Sequence, residues 1–124
     1  MPGYERLDAY KAAHELAIAV HRATQSPPAP EREPVLEDLK YAALRIPALI
    51  ARGWGVRERK LYAKCVDQAA GYVAELGYSL GLAKQTGVLP ADACGRLDAM
   101  LGRTRFYVVK LLLDIVSPPP EGKQ

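Results

Sequence analysis

Apolar residues recur along most of this chain at the three-to-four-residue spacing that lines one side of a helix. Nowhere do they alternate long enough to mark a strand. Leu7, Tyr10, Ala13, Leu16, Ala17 and Val20 predict a first helix from about Leu7 to Thr24. Ser26-Pro27-Pro28-Ala29-Pro30 must end it, because successive prolines remove backbone donors and crowd the preceding turn. A second helix is expected from about Glu31 to Arg52, with Val35, Leu36, Leu39, Ala42, Ala43, Ile46 and Ile50 on its apolar face. Glu31 and Glu33 suit the positive end of its dipole, and Pro34 is tolerable in a first turn. Gly53 and Gly55 are expected to close it in the left-handed conformation.

The third predicted helix, about Arg57 to Thr86, is the longest. Leu61, Cys65, Ala69, Tyr72, Val73, Leu76, Leu80 and Ala83 form its stripe, and Gly87 stops it. Pro90 opens a fourth, about 90–116, through Leu97, Leu101, Thr104, Val108, Leu111 and Ile115. Ser117-Pro118-Pro119-Pro120 ends it, and the tail, residues 117–124, is expected to be disordered. Four helices on short loops place sequence neighbours side by side and antiparallel. The expected fold is all-α: one domain over residues 1–124, an up-down-up-down four-helix bundle.

Composition agrees with that expectation. Hydrophobic residues at 49% and charged residues at 25% belong to a globular chain that can bury a core. No apolar run approaches the roughly 20 residues of a membrane span, and no basic region followed by an apolar stretch marks a signal peptide. Cys65 and Cys94 form no Cys-x-x-Cys, which fits reduced thiols and a cytoplasmic location.

The chemistry is sparse. His14 and His21 share a helix face but sit seven apart, too far for the i, i+4 pair of a metal helix. No nucleophile stands beside a base, and no glycine-rich phosphate loop follows a strand. The expectation is no enzyme, no catalytic residue, no metal and no cofactor. Gly71, Ala74, Gly77 and Gly81 make a small-residue stripe on the third helix. Its simpler reading is tight packing within the bundle, and its sharper one a subunit interface.

Charge is more informative where it concentrates. Residues 45–64 hold Arg45, Arg52, Arg57, Arg59, Lys60 and Lys64 against Glu58 alone, although the whole chain carries only +3. Pro47, inside the second helix, removes one backbone donor and should kink the axis. On an ideal helix Arg45, Leu49 and Arg52 fall on one face while Ile46 and Ile50 reach the core. Arg57, Lys60 and Lys64 share a face of the next helix, so two helices leaving one turn would present a joint basic surface. Such a surface fits sequence-tolerant contact with phosphates. The alternatives are ion pairs with acids of a neighbouring subunit, such as Glu75 or Asp67, and a solvated charged face.

The stretch Arg45-Ile46-Pro47-Ala48-Leu49-Ile50-Ala51-Arg52-Gly53-Trp54-Gly55 resembles the signature Ser-Ile-Pro-x-Asn-Ile-Ala-Glu-Gly-x-Gly of the 23S ribosomal RNA intervening-sequence family. "YERLDAYKAAHELA" and "AELGYSLGLAKQTGVL" extend the likeness over roughly residues 4 to 116. The resemblance implies a four-helix bundle similar to the accessory variability protein of diversity-generating retroelements. It further implies a ring-shaped homo-pentamer, with a basic surface for RNA or DNA and a reverse transcriptase or ribosomal RNA as partner. The competing expectation is a protein-protein interaction scaffold with no direct nucleic-acid role. Arg45, Leu49 and Arg52 stand where the family pattern has Ser, Asn and Glu, so the roles of those polar residues do not carry over.

Overall fold

In the computed structural model, which describes residues 3–25 and 34–117, the helical spacing resolves into four α-helices and a short 3₁₀ turn. The turn is Tyr4–Arg6, and the helices are α1 (Asp8–Ala23), α2 (Pro34–Val56), α3 (Arg59–Gln85) and α4 (Ala91–Val116). The described residues contain no strand, and the fold is all-α as the periodicity predicted. The expected start of the second helix at Glu31, the proline stretch from Ser26 and the tail beyond Ser117 lie outside the described residues.

Local signals fix both ends of α3. The Glu58 carboxylate accepts from the Leu61 backbone N–H at 2.9 Å, capping α3. Gly87, at φ 74°, takes the left-handed position after α3. There the Val88 N–H reaches the Ala83 carbonyl at 3.0 Å and the Gly87 N–H that of Lys84 at 3.2 Å.

The second helix departs from expectation at its end. Gly53 and Gly55 do not stop it; α2 continues to Val56, and Arg57 takes the left-handed conformation at φ 58°. Gly53 serves another purpose. A Cβ there would lie 2.8 Å from Tyr62 Cδ1 and 3.0 Å from Cys65 Cβ, so this glycine lets α2 and α3 approach. Pro47 is buried, and α2 runs through it while losing one backbone donor.

Cross-helix partners give the direction of each neighbour. Along α2 and α3, Trp54 meets Tyr62, Tyr41 meets Tyr72, and Ser79 donates to Asp38, so one numbering falls as the other rises. Arg59 reaches Ile115 and Gly77 faces Leu101, so α3 and α4 are antiparallel as well. The N-terminal turn places Gly3 near Trp54, and Glu15 of α1 meets Arg103 of α4 at 3.4 Å. Each helix packs on its two neighbours, α1 closes against α4, and the diagonal pairs stay apart. The result is the up-down-up-down bundle.

The enclosed core holds Leu16 and Val20, Leu39, Ile46 and Ile50, Val66 and Leu76, and Leu101 and Val108, all fully buried. Burying a side chain of this size contributes about 1.5–3 kcal/mol. Thr104 is the polar member. Its hydroxyl donates to the Met100 carbonyl at 2.9 Å, which removes the cost of burying it. Leu61, expected on the apolar stripe, lies in the first turn of α3 and is exposed.

Candidate nucleic-acid interface

Antiparallel packing brings the C-terminal end of α2, the start of α3 and the C-terminus of α4 to one end of the bundle. Five of the six cations singled out in the sequence lie at that end, and four of them, unpaired among the described residues, are free to meet a ligand. Arg52 lies on the last turns of α2, Arg57 in the turn, and Lys60 and Lys64 on the first turns of α3. All four are exposed, and their side chains make no ion pair or hydrogen bond among the described residues. Arg57 lies outside α3, so the expected helical face is formed by Lys60 and Lys64, with Arg57 projecting from the turn beside it. The one acid of the window, Glu58, spends its carboxylate on the α3 cap.

Arg59 behaves differently. Its Nε donates to the Ile115 carbonyl at 2.6 Å and its Nη2 to the Ser117 carbonyl at 2.5 Å. Those carbonyls lie at the end of α4, where the helix dipole is negative and the last carbonyls lack intrahelical donors. Arg59 therefore caps α4.

Arg45 is also separated from the group. Seven residues before Arg52, it sits about 10 Å further along α2 and is half-buried. Leu49, between them on the expected exposed face, is buried at 3%. The Arg-Leu-Arg face is thus broken at its middle, because α3 packs over Leu49. Arg45 lines a cleft of about 440 Å³ with Leu49, Gln68, Gly71, Tyr72 and Glu75, and its Nε is buried without a hydrogen-bond partner.

Further along the same cleft, α2 and α3 share an acid pair. Hydrogen bonding to Asp38, then burial and the Asp38 charge, push the Glu75 carboxyl above its usual range. Ser79 also donates to Asp38, tying the pair to α3. The Tyr72 phenol is raised chiefly by its hydrogen bond with Tyr41, while Arg45 pulls the other way. Glu75, suggested as an ion-pair partner across subunits, therefore has a carboxylate neighbour within its own chain.

The small-residue stripe packs within the bundle only in part, against the simpler reading of it as a whole. A Cβ on Gly71 or Gly81 would meet nothing within 4 Å, and only Gly77 faces a neighbouring helix, at Leu101. Beside this open surface, Phe106, Val109, Leu113 and Val116 form an exposed apolar stripe on α4, with Phe106 62% exposed. His14 and His21 are both exposed on α1, His14 stacking on Tyr10 with centroids 5.5 Å apart. Cys65 and Cys94 are buried free thiols. No helix among the described residues is long and apolar enough to cross a membrane.

Sequence reasoning passed over Trp54, which it treated as part of a turn. Trp54 stands on the last turn of α2 between Arg52 and Arg57, 39% exposed. The signal was present in the chain: its single tryptophan falls inside its most basic window.

The family model for the 23S rRNA-intervening sequence protein matches residues 5–106 of the chain, covering the basic window and most of all four helices. No curated protein matches it.

Proposed function

The chain belongs to the 23S rRNA-intervening sequence protein family, and from that premise we propose a non-catalytic, homo-oligomeric protein that binds nucleic acid through the α2–α3 end. The observation that carries this reading is the set Arg52, Arg57, Lys60 and Lys64, exposed together with no carboxylate among the described residues paired to any of them. Cations already held in ion pairs would have to be released before meeting phosphate; these need no release. Contacts of this kind release counterions and do not read bases, so binding is salt-sensitive and sequence-tolerant. The nucleic acid is ribosomal RNA or, by likeness to the accessory variability protein of diversity-generating retroelements, a strand handled with a reverse transcriptase. A homo-oligomer, in that likeness a ring of five, is supported by the exposed α4 stripe and the open glycines of α3.

Affinity for a short RNA measured against salt tests the reading. Four phosphate contacts per copy give a slope of about −3 in log K against log salt. Arg52→Glu and Lys60→Glu each weaken binding. Unchanged binding in both variants, or no binding near about 50 mM salt, overturns it.

One observation favours a second reading, the interaction scaffold. The apolar α4 groove, about 660 Å³ and lined by Phe106, Val109 and Leu113, is of a kind that docks protein. A protein partner that stays bound after nuclease treatment, together with failure of the salt test, would favour it.

A further inference from the structure

The exposure of Trp54 is not accidental looseness. Its ring meets Tyr62 edge-to-face, with centroids 6.2 Å apart and planes at 89°. Tyr62 in turn lies directly over Gly53, where a Cβ would come within 2.8 Å of its ring. The Tyr62 hydroxyl is buried, and burial pushes its phenol up. On the other side the N-terminal turn brings Gly3 alongside, its Cβ position 3.8 Å from Trp54 Nε1. The indole is thus held between α3 and the first turn of the chain, yet keeps 39% of its surface in solvent. Arg52 and Arg57 stand two and three positions from it in the chain, both exposed.

An apolar ring held in place, at an end of the bundle where Arg52, Arg57, Lys60 and Lys64 are also exposed, suits a ligand with a flat π-face and an attached negative charge. Nucleic-acid bases have both, but only when unpaired. In a duplex the base faces are covered by their neighbours, and an exposed indole meets sugar and phosphate alone. A held ring also loses little conformational freedom on binding. We propose that Trp54 is a stacking platform for an unpaired base, which makes the basic end selective for single-stranded over duplex nucleic acid. This rests on the phosphate-binding reading of the same end and adds to it the class of strand.

The chain carries one tryptophan, so its emission reports Trp54 alone. The test titrates it with an oligouridylate, an oligothymidylate and an RNA duplex of equal charge, and measures affinities independently by anisotropy of labelled strands. Both single strands should quench the emission as they bind, and the duplex should leave it nearly unchanged. Trp54→Leu should weaken single-strand binding about tenfold or more while duplex affinity moves less than about twofold. Trp54→Phe, which keeps a smaller ring, should retain most of the binding and guards against a variant that does not fold. Equal quenching and equal affinity for single strand and duplex would overturn the platform and leave the phosphate reading standing. So would unchanged single-strand affinity in a folded Trp54→Leu. Absence of binding by every strand near about 50 mM salt would overturn both.

Discussion

The guanidinium of Arg59, at the first residue of α3, donates through Nε to the carbonyl of Ile115 at 2.6 Å, joining the start of one helix to the end of another. A second bond to Ser117 completes a fork over the C-terminus of α4. In an exposed setting a charged donor on such carbonyls contributes about 1 kcal/mol. Arg59→Ala should therefore lower the melting temperature by about 4 °C. It should weaken RNA binding less than Arg52→Ala does, since its positive charge is already spent on α4. Equal losses of affinity in the two variants, with no change in melting temperature, would contradict the capping role.

Glycines of α2 and α3 divide by what lies over them. Gly53→Ala forces a methyl to within 3.0 Å of Cys65 Cβ. Tyr62 can swing aside, but the Cys65 Cβ moves only with its backbone, so the helices must separate. The expected cost is about 1–3 kcal/mol. Gly71→Ala meets open space and should stabilise the monomer by about 0.5–1 kcal/mol, the helix-propensity gain alone. Urea denaturation measures both. If copies of the chain pack across α3, Gly71→Ala will also reduce self-association in sedimentation.

What the sequence made legible follows from the range of the forces involved. Helical period placed Ile46 and Ile50 in the core, and both are fully buried. Gly87 was readable as a stop because a left-handed residue after a helix is a local demand. Gly53 looked like the same signal and was not. Its requirement comes from Tyr62 and Cys65 on the next helix, which only tertiary packing brings near. Arg59 and Lys60 are adjacent and alike in charge, yet one caps α4 while the other has no partner among the described residues. The carbonyl that decides between them is 56 residues away. Leu49 was expected at the surface between two arginines, and α3 covers it. The basic end was legible as a charge cluster, while the division of labour within it was not.

The acid pair on α2 and α3 predicts a pH dependence whose sign is fixed by Glu75. Its carboxyl is raised in the folded protein, first by hydrogen bonding to Asp38 and then by burial and repulsion. A group raised on folding contributes stability while protonated and loses it as pH rises through the folded value. The native protein should therefore lose this contribution as pH rises above the ordinary glutamate range, about pH 4, and through the raised folded value. Glu75→Gln keeps the protonated-like state and should raise the melting temperature at pH 7. Exposure and solvent screening keep the gain below about 1 kcal/mol. The gain should vanish below about pH 4 and shrink in high salt. A gain that persists unchanged at low pH would mean that packing of the introduced amide, not charge, produced it.

Arg57 separates stability from binding most clearly. It holds φ at 58°, a conformation that costs a side-chain-bearing residue about 1–2 kcal/mol and glycine almost nothing. Gly53 and Gly55 lie just upstream, inside α2, so the left-handed position has gone to an arginine although glycines stood two and four residues away. Arg57→Gly should relieve the backbone and offset part of that gain through a more flexible unfolded chain. The expected net change is about zero to 1 kcal/mol of added stability. The same substitution removes an exposed cation three residues from Trp54. It should weaken RNA binding and reduce the salt slope by about one. Arg57→Lys keeps both the charge and the strain, so it should leave stability and slope close to the native values. Opposite movement of melting temperature and affinity in Arg57→Gly marks a residue retained for its charge at a structural cost. Loss of both together would mean that the arginine side chain supports the turn.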